Sequence, residues 1–503
     1  MPGRANQPMW GQLFRLSFES RISLQAQIRE MLVAAILDGH LPGGTALPST
    51  RTLAVQLGVA RNTVALAYEL LVNEGYLRTR SRSGHFVNPE MAGSVVPAPG
   101  RRRAGTAPPV AWAGRMAGAV SGQRNIVKPR DWQRYPYPFV YGQIDPALLP
   151  IAGWRECSLQ AMSTPAVRGW AGDLVDGDDP LLIEQIQTRL LARRGVFATP
   201  EEILVTVGAQ HALFLLATLL VTPATRVGVE DPGYPDARNI FAARTPHVVP
   251  LPLDAKGLAV SPALEACDYV YLTPSHQCPT NVTMPLARRQ ALLAWAEAHD
   301  RVLVEDDYEV ELGLEGRAQP ALKSLDHAGR VVYVSSLSKT LAPGIRIGFI
   351  VGSPDLIAEA RALRRLMLRH PAANNERSAG LFLAMGYHDA LLRRLRQACA
   401  ERAAVMAAAL ARHLPQVAFT TAPGASSFWL RFPAGTDVRL LAEAAARRGV
   451  VIEPGDVFFA ASDPPCVFAR LGFASIDAAR IDAGLAELAA ALRECAGRRL
   501  PAT

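Results

Sequence analysis

One lysine of this chain has neighbours that point to covalent chemistry. Only four of the 53 basic residues are lysines, and Lys339 follows two serines, Ser336 and Ser338. An arginine stays protonated and forms no imine, whereas a lysine amine can form one. The two hydroxyls, together with Arg346 seven residues later, are groups that bind a phosphate. The set predicts a lysine that forms an imine with pyridoxal phosphate; a surface lysine in a serine-rich loop is the alternative.

Other groups that this cofactor needs follow apolar runs further upstream. Ala209 and Gln210 open a predicted helix after a glycine, where free backbone N–H groups suit a phosphate. Tyr234 follows Pro-Gly and is placed to stack on the pyridine ring. Asp306 comes directly after an apolar run, where an acid needs a partner; it is assigned to the ring nitrogen, which it keeps protonated. Tyr308, two residues on, is assigned to the ring 3-oxygen.

Each of these motifs has an ordinary structural alternative when it is taken alone. Small residues often open helices, a tyrosine after Pro-Gly often packs in its turn, and acids often form a loop after a strand. Glu305 and Asp307, on either side of Asp306, are expected to point away from the cofactor. The joint presence of the motifs before Lys339 favours the cofactor site.

The elements around these motifs alternate between strands and helices. Short apolar runs at 203–207, 226–229, 269–272, 301–304 and 331–334 are separated by helical stretches such as 210–220 and 286–299. This alternation predicts an α/β domain with a buried, mostly parallel sheet. Functional residues of such sheets lie at strand ends, where the candidate groups are found.

The first 90 residues predict a different, smaller domain. Apolar residues at helical spacing occur at 24–36, 50–57 and 60–75, and two short strands flank a basic turn at 80–84. Three helices followed by a basic hairpin predict a winged helix-turn-helix, with the third helix in the major groove of DNA and the wing on phosphates or the minor groove. The alternative is a small helical dimerisation domain with a basic face. The predicted DNA-binding residues are Ser49, Arg51, Arg61, Asn62, Thr63, Arg80 and Arg82.

Charge and composition divide the chain in the same way. Residues 1–90 carry nine basic and six acidic side chains, and residues 91–135 carry eight and one. A polyanionic partner is therefore expected at the N-terminal part. The expected domains are a DNA-binding domain at 18–88, a linker rich in Pro, Ala and Arg at 89–135, and a cofactor domain at 136–495.

Several other classes of protein are excluded by composition. The chain has no apolar run long enough for a membrane span and no secretory signal pattern at its start. Its six cysteines show no CxxC spacing, so neither a metal site nor a disulfide framework is expected. A reducing cytoplasm fits this cysteine usage.

Taken together, these motifs resemble the MocR subfamily of GntR-type transcription regulators. The resemblance covers roughly residues 20–90 and 136–490, and its marks include residues 47–51, 61–64, 231–234, 305–308 and 338–339. It implies a winged helix joined to a domain like a fold-type I aminotransferase. It also implies a homodimer, because such cofactor sites lie at a subunit interface.

The resemblance extends to single residues. It gives Lys339, Asp306, Tyr308 and Tyr234 the roles assigned above, and it makes Arg470 the residue that holds an effector carboxylate; an ordinary surface arginine is the alternative. Aminotransferases carry Asn-Pro-Thr-Gly where this chain has a cysteine at 278. His276 or Gln277 are the candidates to replace that asparagine.

The resulting expectation is a regulator of transcription that senses a small amine or amino acid by imine exchange at Lys339. It would bind an operator of double-stranded DNA with two half-sites. The alternative is an active aminotransferase with an appended DNA-binding domain, and a third reading is an aminotransferase fold used only for dimerisation. A transaminase half-reaction would still be open to the regulator. The sequence names neither the effector nor the operator, nor the direction of regulation.

Overall fold

The structure is a computed structural model, and it describes residues 16–20, 22–80, 83–91, 110–116, 118, 120–309 and 319–497. The chain divides into two compact units, Met1–Met116 and Ala117–Thr503. In the described parts of the chain, no helix combines the length and the apolar character that crossing a membrane requires.

The N-terminal unit is a winged helix-turn-helix, as predicted. Its elements are α1 (Leu24–Leu37), α2 (Thr50–Leu57), α3 (Arg61–Asn73), β1 (Leu77–Arg80) and β2 (Gly84–Val87). The side chain of Ser49 caps α2 by accepting a hydrogen bond from Thr52, and Gly58 ends that helix with a φ of 68°. Leu32, Val64 and other apolar residues of the three helices form one buried core. β1 and β2 pair antiparallel and form the wing.

The C-terminal unit is built on a sheet of eight strands. The strands are β4 (Ile203–Thr206), β5 (Val227–Asp231), β6 (Val248–Asp254), β7 (Gly257–Leu258), β8 (Tyr269–Leu272), β9 (Val302–Asp306), β10 (Val331–Ser336) and β11 (Gly348–Val351), with β3 (Tyr137–Pro138) outside this sheet. Their order is β4-β11-β10-β9-β8-β5-β6-β7. The pairs among β5, β6, β8, β9 and β10 are parallel, and β11 runs against both of its neighbours. The prediction of a mostly parallel sheet is therefore confirmed.

A second, smaller sheet completes the unit. It contains β12 (Ala418–Thr420), β13 (Ser427–Arg431), β15 (Glu453–Pro454) and β16 (Phe468–Gly472) in antiparallel pairs. β14 (Val450–Val451) pairs instead with β3. β15 and β16 place Glu453 opposite Arg470, so the smaller sheet supplies one wall of the site described below.

Helices cover both sheets. They are α4 (Ile151–Ala161), α5 (Thr164–Trp170), α6 (Pro180–Gln185), α7 (Ala209–Leu220), α8 (Pro235–Ala242), α9 (Pro262–Glu265), α10 (Leu286–Ala298), α11 (Pro354–Leu368), α12 (Ala373–Ala384), α13 (Tyr387–His413), α14 (Val438–Arg447) and α15 (Ala478–Gly497). Buried apolar clusters join α7 and α11 to the large sheet, and α13, α14 and α15 to the smaller one. The large sheet is therefore buried and rigid, which fixes the residues at its strand ends.

The boundary of the C-terminal unit differs from the sequence prediction. This unit begins at Ala117 rather than at residue 136. Arg124 donates hydrogen bonds of 2.9 Å to the carbonyl of Phe459 and 2.6 Å to that of Ala461. The Asn239 side chain donates to the carbonyl of Arg124 over 3.0 Å. Composition suggested a linker here because it does not register such contacts between distant parts of the chain.

Candidate functional site

A cavity of about 320 Å³ lies at the carboxyl ends of the parallel strands. It brings together predicted residues from five separate stretches of the chain. The predicted residues that line it are Lys339, Asp306, Tyr308, Tyr234, Ala209, Gln210, Ser336, Ser338, Arg346 and Arg470. The topology of the large sheet explains most of this convergence, since β4, β5, β9 and β10 end at one edge; Arg470 comes instead from β16 of the smaller sheet.

Lys339 projects into the cavity from a 3-10 turn that directly follows β10. Burial lowers the pKa of Lys339 to about 8, and the positive charges of Lys128 and Arg470 act in the same direction, against Glu309. Its Nζ lies 4.2 Å from the centre of the Tyr141 ring. The amine is therefore far more often neutral near pH 7 than an ordinary lysine, and a neutral amine is a nucleophile.

Asp306, the last residue of β9, is the acid that faces the cavity. Tyr271 donates a hydrogen bond of 2.8 Å to its Oδ2, whereas its buried Oδ1 has no partner among the described residues. Burial raises the pKa of Asp306 to about 7. A buried carboxylate in this state would be stabilised by a cationic N–H group at Oδ1.

The acids on either side of Asp306 point away from the cavity, as the sequence predicts. Glu305 accepts hydrogen bonds of 2.8 Å from the backbone of Leu322 and of Lys323. Asp307 pairs with Arg194 at 2.7 Å, and this contact lowers the pKa of Asp307 despite its burial. Both acids therefore have structural partners elsewhere, and Asp306 is the acid of this run that lines the cavity.

One end of the cavity collects groups that bind anions. Ala209 and Gln210 are the first residues of α7, which starts at Gly208 without a side-chain cap. Gly208 has a φ of 80°, and a Cβ there would lie 2.7 Å from the guanidinium of Arg346. The backbone N–H groups of the first turn are thus left for a ligand, and Arg346 adds a positive charge beside them.

The two serines of the motif complete this end. The hydroxyl of Ser336 donates to that of Ser338 over 2.9 Å and also accepts from the Ser338 backbone N–H. Arg346 donates to the carbonyl of Val207 over 2.9 Å, which ties the guanidinium to the end of β4. The result is a set of hydroxyl, guanidinium and backbone donors with the geometry of a phosphate site.

The two predicted tyrosines line the cavity, and His276 does not. Tyr308 donates to the carbonyl of His276 over 2.8 Å, and Tyr234 donates to Asp236 over 2.9 Å. The ring of His276 is buried and its Nε2 lies 3.1 Å from the carbonyl of Pro423. Cys278, where aminotransferases have asparagine, does line the cavity, and burial raises the pKa of its thiol to about 12.

Arg470 lies at the opposite wall, on β16, and is fixed from several sides. Its Nε donates to Glu453 over 2.8 Å, with both side chains buried. The guanidinium carbon lies 3.9 Å from the centre of the Tyr141 ring and 4.7 Å from that of Phe458. Glu453 binds one edge of the guanidinium, and Nη1 donates to Sγ of Cys278 over 3.8 Å. Arg470 also lines the cavity, where its positive charge can act on an anionic ligand.

Several residues of the cavity wall were not predicted as site residues from the sequence. They are Asn125, Ile126, Lys128, Tyr141, Gly142, Asp236, Tyr271 and Pro343. Asp236 accepts hydrogen bonds from Tyr234, Gln210 and Asn125. One signal was available: Lys128 is another of the four lysines in an arginine-rich chain.

The N-terminal unit carries the predicted DNA-binding residues on its surface. Arg61 and Asn62 start α3 and are exposed, and Thr63 follows them half-buried. Ser49 and Arg51 are exposed at the start of α2, although the hydroxyl of Ser49 already caps that helix. The exposed Arg80 lies over the ring of Phe86 at 4.6 Å. Arg82 lies outside the described residues.

Comparison with protein families assigns both units. Residues 24–87 match the family of bacterial regulatory proteins of the gntR type. Residues 175–488 match the aminotransferase class I and II family, whose fold is that of pyridoxal-phosphate-dependent enzymes. GntR-type domains bind DNA, so the surface of α3 and the wing belongs to a DNA-binding domain.

Full-length relatives combine the same two domains. The chain is 43% identical to the HTH-type transcriptional regulator TauR of Rhodobacter capsulatus over 475 residues, which cover 94% of this chain and 97% of that protein. It is 33% identical to the probable rhizopine catabolism regulatory protein MocR of Rhizobium meliloti, with 95% of each chain covered.

A solved structure supports the assignment of the larger unit. LysN, the α-aminoadipate aminotransferase of Thermus thermophilus, superposes with a TM-score of 0.69 and 27% identity over 77% of this chain and all of its own. The matches to these relatives span nearly the whole chain and therefore include both domains. This protein belongs to the MocR subfamily of GntR-type regulators, and it is a DNA-binding transcription regulator with an aminotransferase-like domain.

Proposed function

We propose that this regulator binds pyridoxal 5′-phosphate in the cavity and senses a small amine or amino acid there, with the amine of the effector taking the place of Lys339. The proposal rests on two residues that share one cavity. One is a lysine with a lowered pKa, and the other is a buried acid with one oxygen that has no partner among the described residues. In the described chain, Lys339 and Asp306 both line the same cavity, and Oδ1 of Asp306 is unpartnered.

The residues present fit the cofactor at both of its ends. A protonated ring nitrogen would satisfy Oδ1 of Asp306 and stabilise its charged form. At the other end, the start of α7 offers uncapped N–H groups beside Arg346, which suit a phosphate. The related Thermus thermophilus enzyme was solved with N-(5′-phosphopyridoxyl)-L-leucine, a compound that carries the same ring and phosphate.

Each residue of the wall then has a distinct role. Ala209, Gln210, Ser336, Ser338 and Arg346 would hold the phosphate, Tyr234 would stack on the ring and Tyr308 would bond its oxygen. When bound, the cofactor supplies an aldehyde carbon with which primary amines combine reversibly.

Lys339 and Arg470 would act on the two ends of the effector. Because the pKa of Lys339 is lowered to about 8, its amine leaves and returns without a large cost for removing a proton near neutral pH. Arg470 presents guanidinium donors to the same cavity, and a guanidinium binds a carboxylate by two parallel hydrogen bonds. The favoured effector is therefore a primary amine with an anionic group.

Regulation requires that this event alters DNA binding. We infer a homodimer whose two winged helices contact two half-sites of double-stranded DNA. An effector changes DNA binding only if it binds one conformation of the dimer better than another. Sedimentation of the purified protein, with and without an operator fragment, tests the dimer and its stoichiometry on DNA.

The deciding experiment compares the cofactor-loaded protein with Lys339→Ala. Titration with a panel of amines, followed by visible absorption and by operator affinity, should give a spectral change and an altered affinity for DNA with the same amine. In Lys339→Ala, the absorption that depends on the lysine amine should be absent before any amine is added. Steady release of a keto product with an added acceptor acid would favour the aminotransferase alternative. If the affinity for DNA stays unchanged with every amine that changes the spectrum, the proposed sensing function is rejected.

A further inference from the structure

The segment of residues 123–128 reaches the cavity, although it lies within the linker of residues 89–135 that the sequence predicts. Asn125, Ile126 and Lys128 all line the cavity. Asn125 donates a hydrogen bond to Asp236, and Arg124 is bonded to the carbonyl groups of Phe459 and Ala461. The segment is thus part of the effector-site wall, and the chain that leaves its N-terminal side leads to the DNA-binding unit.

Lys128 brings a second cation to the wall that carries Arg470. Its Nζ donates to the carbonyl of Tyr141 and lies 3.3 Å from Oε1 of Glu453. The other oxygen of Glu453 accepts from Arg470 over 2.8 Å. One carboxylate is therefore shared by two cations. Both cations line the cavity, whereas Glu453 and Glu309, the acid bonded to Tyr141, do not, so the charges of this wall that face the ligand space are positive.

Gly142 keeps the space between Lys128 and Lys339 open. Its φ is 73°, and a Cβ at this position would lie 3.9 Å from Nζ of Lys128 and closer still to Nζ of Lys339. The two amines therefore approach the same small volume from different sides. A ligand whose amine replaces that of Lys339 needs only a short chain to bring an anionic group to Lys128.

The electrostatics of this wall favour an anion at that place. Burial lowers the pKa of Lys128, and Arg470 acts in the same direction, while Glu453 opposes them. An anionic group between the two cations would relieve their mutual repulsion. A neutral alkyl group would leave the two cavity-facing cations without an opposite charge on the ligand.

We propose that Lys128 binds the anionic group of the effector together with Arg470, so that the effector bridges the Lys339 site and the segment that leads to the DNA-binding unit. This proposal rests on the proposed sensing function and names its ligand class: a short primary amine with a carboxylate or sulfonate group. It also makes residues 123–128 the first part of the chain to respond to the effector.

The test uses full-length, cofactor-loaded protein and matched amines. The probes are 3-aminopropanoate, 3-aminopropane-1-sulfonate and propylamine, and the reading is the half-saturation concentration for the change in visible absorption. The wild type should prefer the anionic amines. Lys128→Gln should weaken them by about tenfold or more, the loss expected for one charge-assisted hydrogen bond, with propylamine changed by less than about twofold.

Two further variants separate binding from a merely structural role. Lys128→Arg keeps the charge and should retain most of the preference for anionic amines, whereas Lys256→Gln, at an exposed turn, should behave as wild type. The unliganded absorption spectrum of Lys256→Gln should match that of the wild type, since Lys256 does not line the cavity. A loss of affinity in Lys128→Gln that is equal for propylamine and the anionic amines would show that Lys128 only anchors the segment, and would overturn the proposal.

Hydrogen exchange gives a reading that is independent of the spectrum. Amides of residues 123–128 should exchange more slowly when 3-aminopropanoate is added to the wild type, and should be unaffected by propylamine or in Lys128→Gln. If amide exchange of residues 123–128 stays unchanged while an anionic amine is bound, the proposed bridge between the effector and this segment is overturned. If no amine changes the wild-type spectrum, the sensing function itself fails and this proposal falls with it; if the wild type responds equally to all three amines, only this proposal fails.

Discussion

The hydroxyl of Tyr271 donates a hydrogen bond of 2.8 Å to Oδ2 of Asp306, and this bond leaves Oδ1 as the oxygen without a partner in the described chain. Tyr271 lies on β8 and Asp306 ends β9, and these strands are parallel neighbours. The pair has the arrangement that a positioned acid needs: one oxygen is fixed by the protein and the other is left for a ligand.

The first prediction concerns this pair. The bond from Tyr271 lowers the pKa of Asp306, which burial alone would raise further. Tyr271→Phe should therefore raise that pKa and make the acid neutral more often, and a neutral acid binds a protonated ring nitrogen less well. We expect affinity for pyridoxal phosphate to fall about three- to tenfold at neutral pH, near the value of one hydrogen bond, as measured by absorption titration.

Tyr333→Phe is the matched control for that prediction. Tyr333 donates to Asp307 over 2.9 Å, so the variant removes the same kind of bond from the neighbouring acid. Asp307 also pairs with Arg194, and neither Tyr333 nor Asp307 lines the cavity. Cofactor affinity should stay within about twofold of wild type. Equal losses in both variants would mean that Tyr271 acts only through the stability of the sheet.

The second prediction follows from the pKa of Lys339, which is lowered from 10.5 to about 8. Only the neutral amine attacks an aldehyde, so the rate of cofactor loading should rise with pH and level off above about 8. Below that value the rate should fall about tenfold for each pH unit. Stopped-flow mixing of apoprotein with pyridoxal phosphate gives the profile. A rate that still rises through pH 10 would contradict the lowered pKa.

A charge variant sharpens the pH experiment. The positive charge of Arg470 contributes to the lowered pKa of Lys339, so Arg470→Met should shift the midpoint of the loading profile to higher pH. The sign follows because removing a nearby cation stabilises the protonated lysine. A midpoint that moves down, or that stays fixed, would show that the charge of Arg470 does not lower the pKa of Lys339.

Much of the site could be predicted because its residues follow strands. A short apolar run fixes a strand, parallel strands end at one edge, and the next few residues must therefore meet there. Asp306 and Lys339 were identified in this way, and both line the cavity. Burial does not distinguish Asp306 from Glu305, since both carboxylates are buried; the structure does, because Asp306 lines the cavity and Glu305 does not.

The remaining wall could not be predicted because it depends on packing between distant segments. Tyr141 and Glu453 come from parts of the chain more than 300 residues apart, and Glu453 accepts from the Tyr141 backbone over 3.3 Å. His276 is the opposite case, because it was predicted as a site residue but does not line the cavity. Its position in sequence suggested the ring oxygen, but its Nε2 bonds the carbonyl of Pro423, a partner that no local pattern reveals.

A third prediction concerns the stability of the larger unit. Arg194 pairs with Asp307 at 2.7 Å, and both side chains are buried. Arg194→Met should destabilise the unit by about 3–5 kcal/mol, because it leaves an uncompensated buried carboxylate. Arg412→Met removes an exposed pair with Asp482 at 2.8 Å and should cost less than about 1 kcal/mol. Urea unfolding measures the loss in free energy of unfolding for both variants. Similar losses would show that leaving the buried Asp307 carboxylate without its partner carries no extra penalty.

The fourth prediction separates phosphate contacts from other charges in the wing. Arg80 is exposed and lies over the ring of Phe86, which fixes its guanidinium at the end of β1. If Arg80 contacts a phosphate, Arg80→Ala should reduce the slope of log affinity against log salt by about one unit, measured by fluorescence anisotropy on an operator fragment. Arg78 lies on the same strand but pairs with Glu90 at 2.8 Å, so Arg78→Ala should leave the slope nearly unchanged. A reduced slope in Arg78→Ala with an unchanged slope in Arg80→Ala would instead assign the phosphate contact to Arg78 and remove Arg80 from the interface.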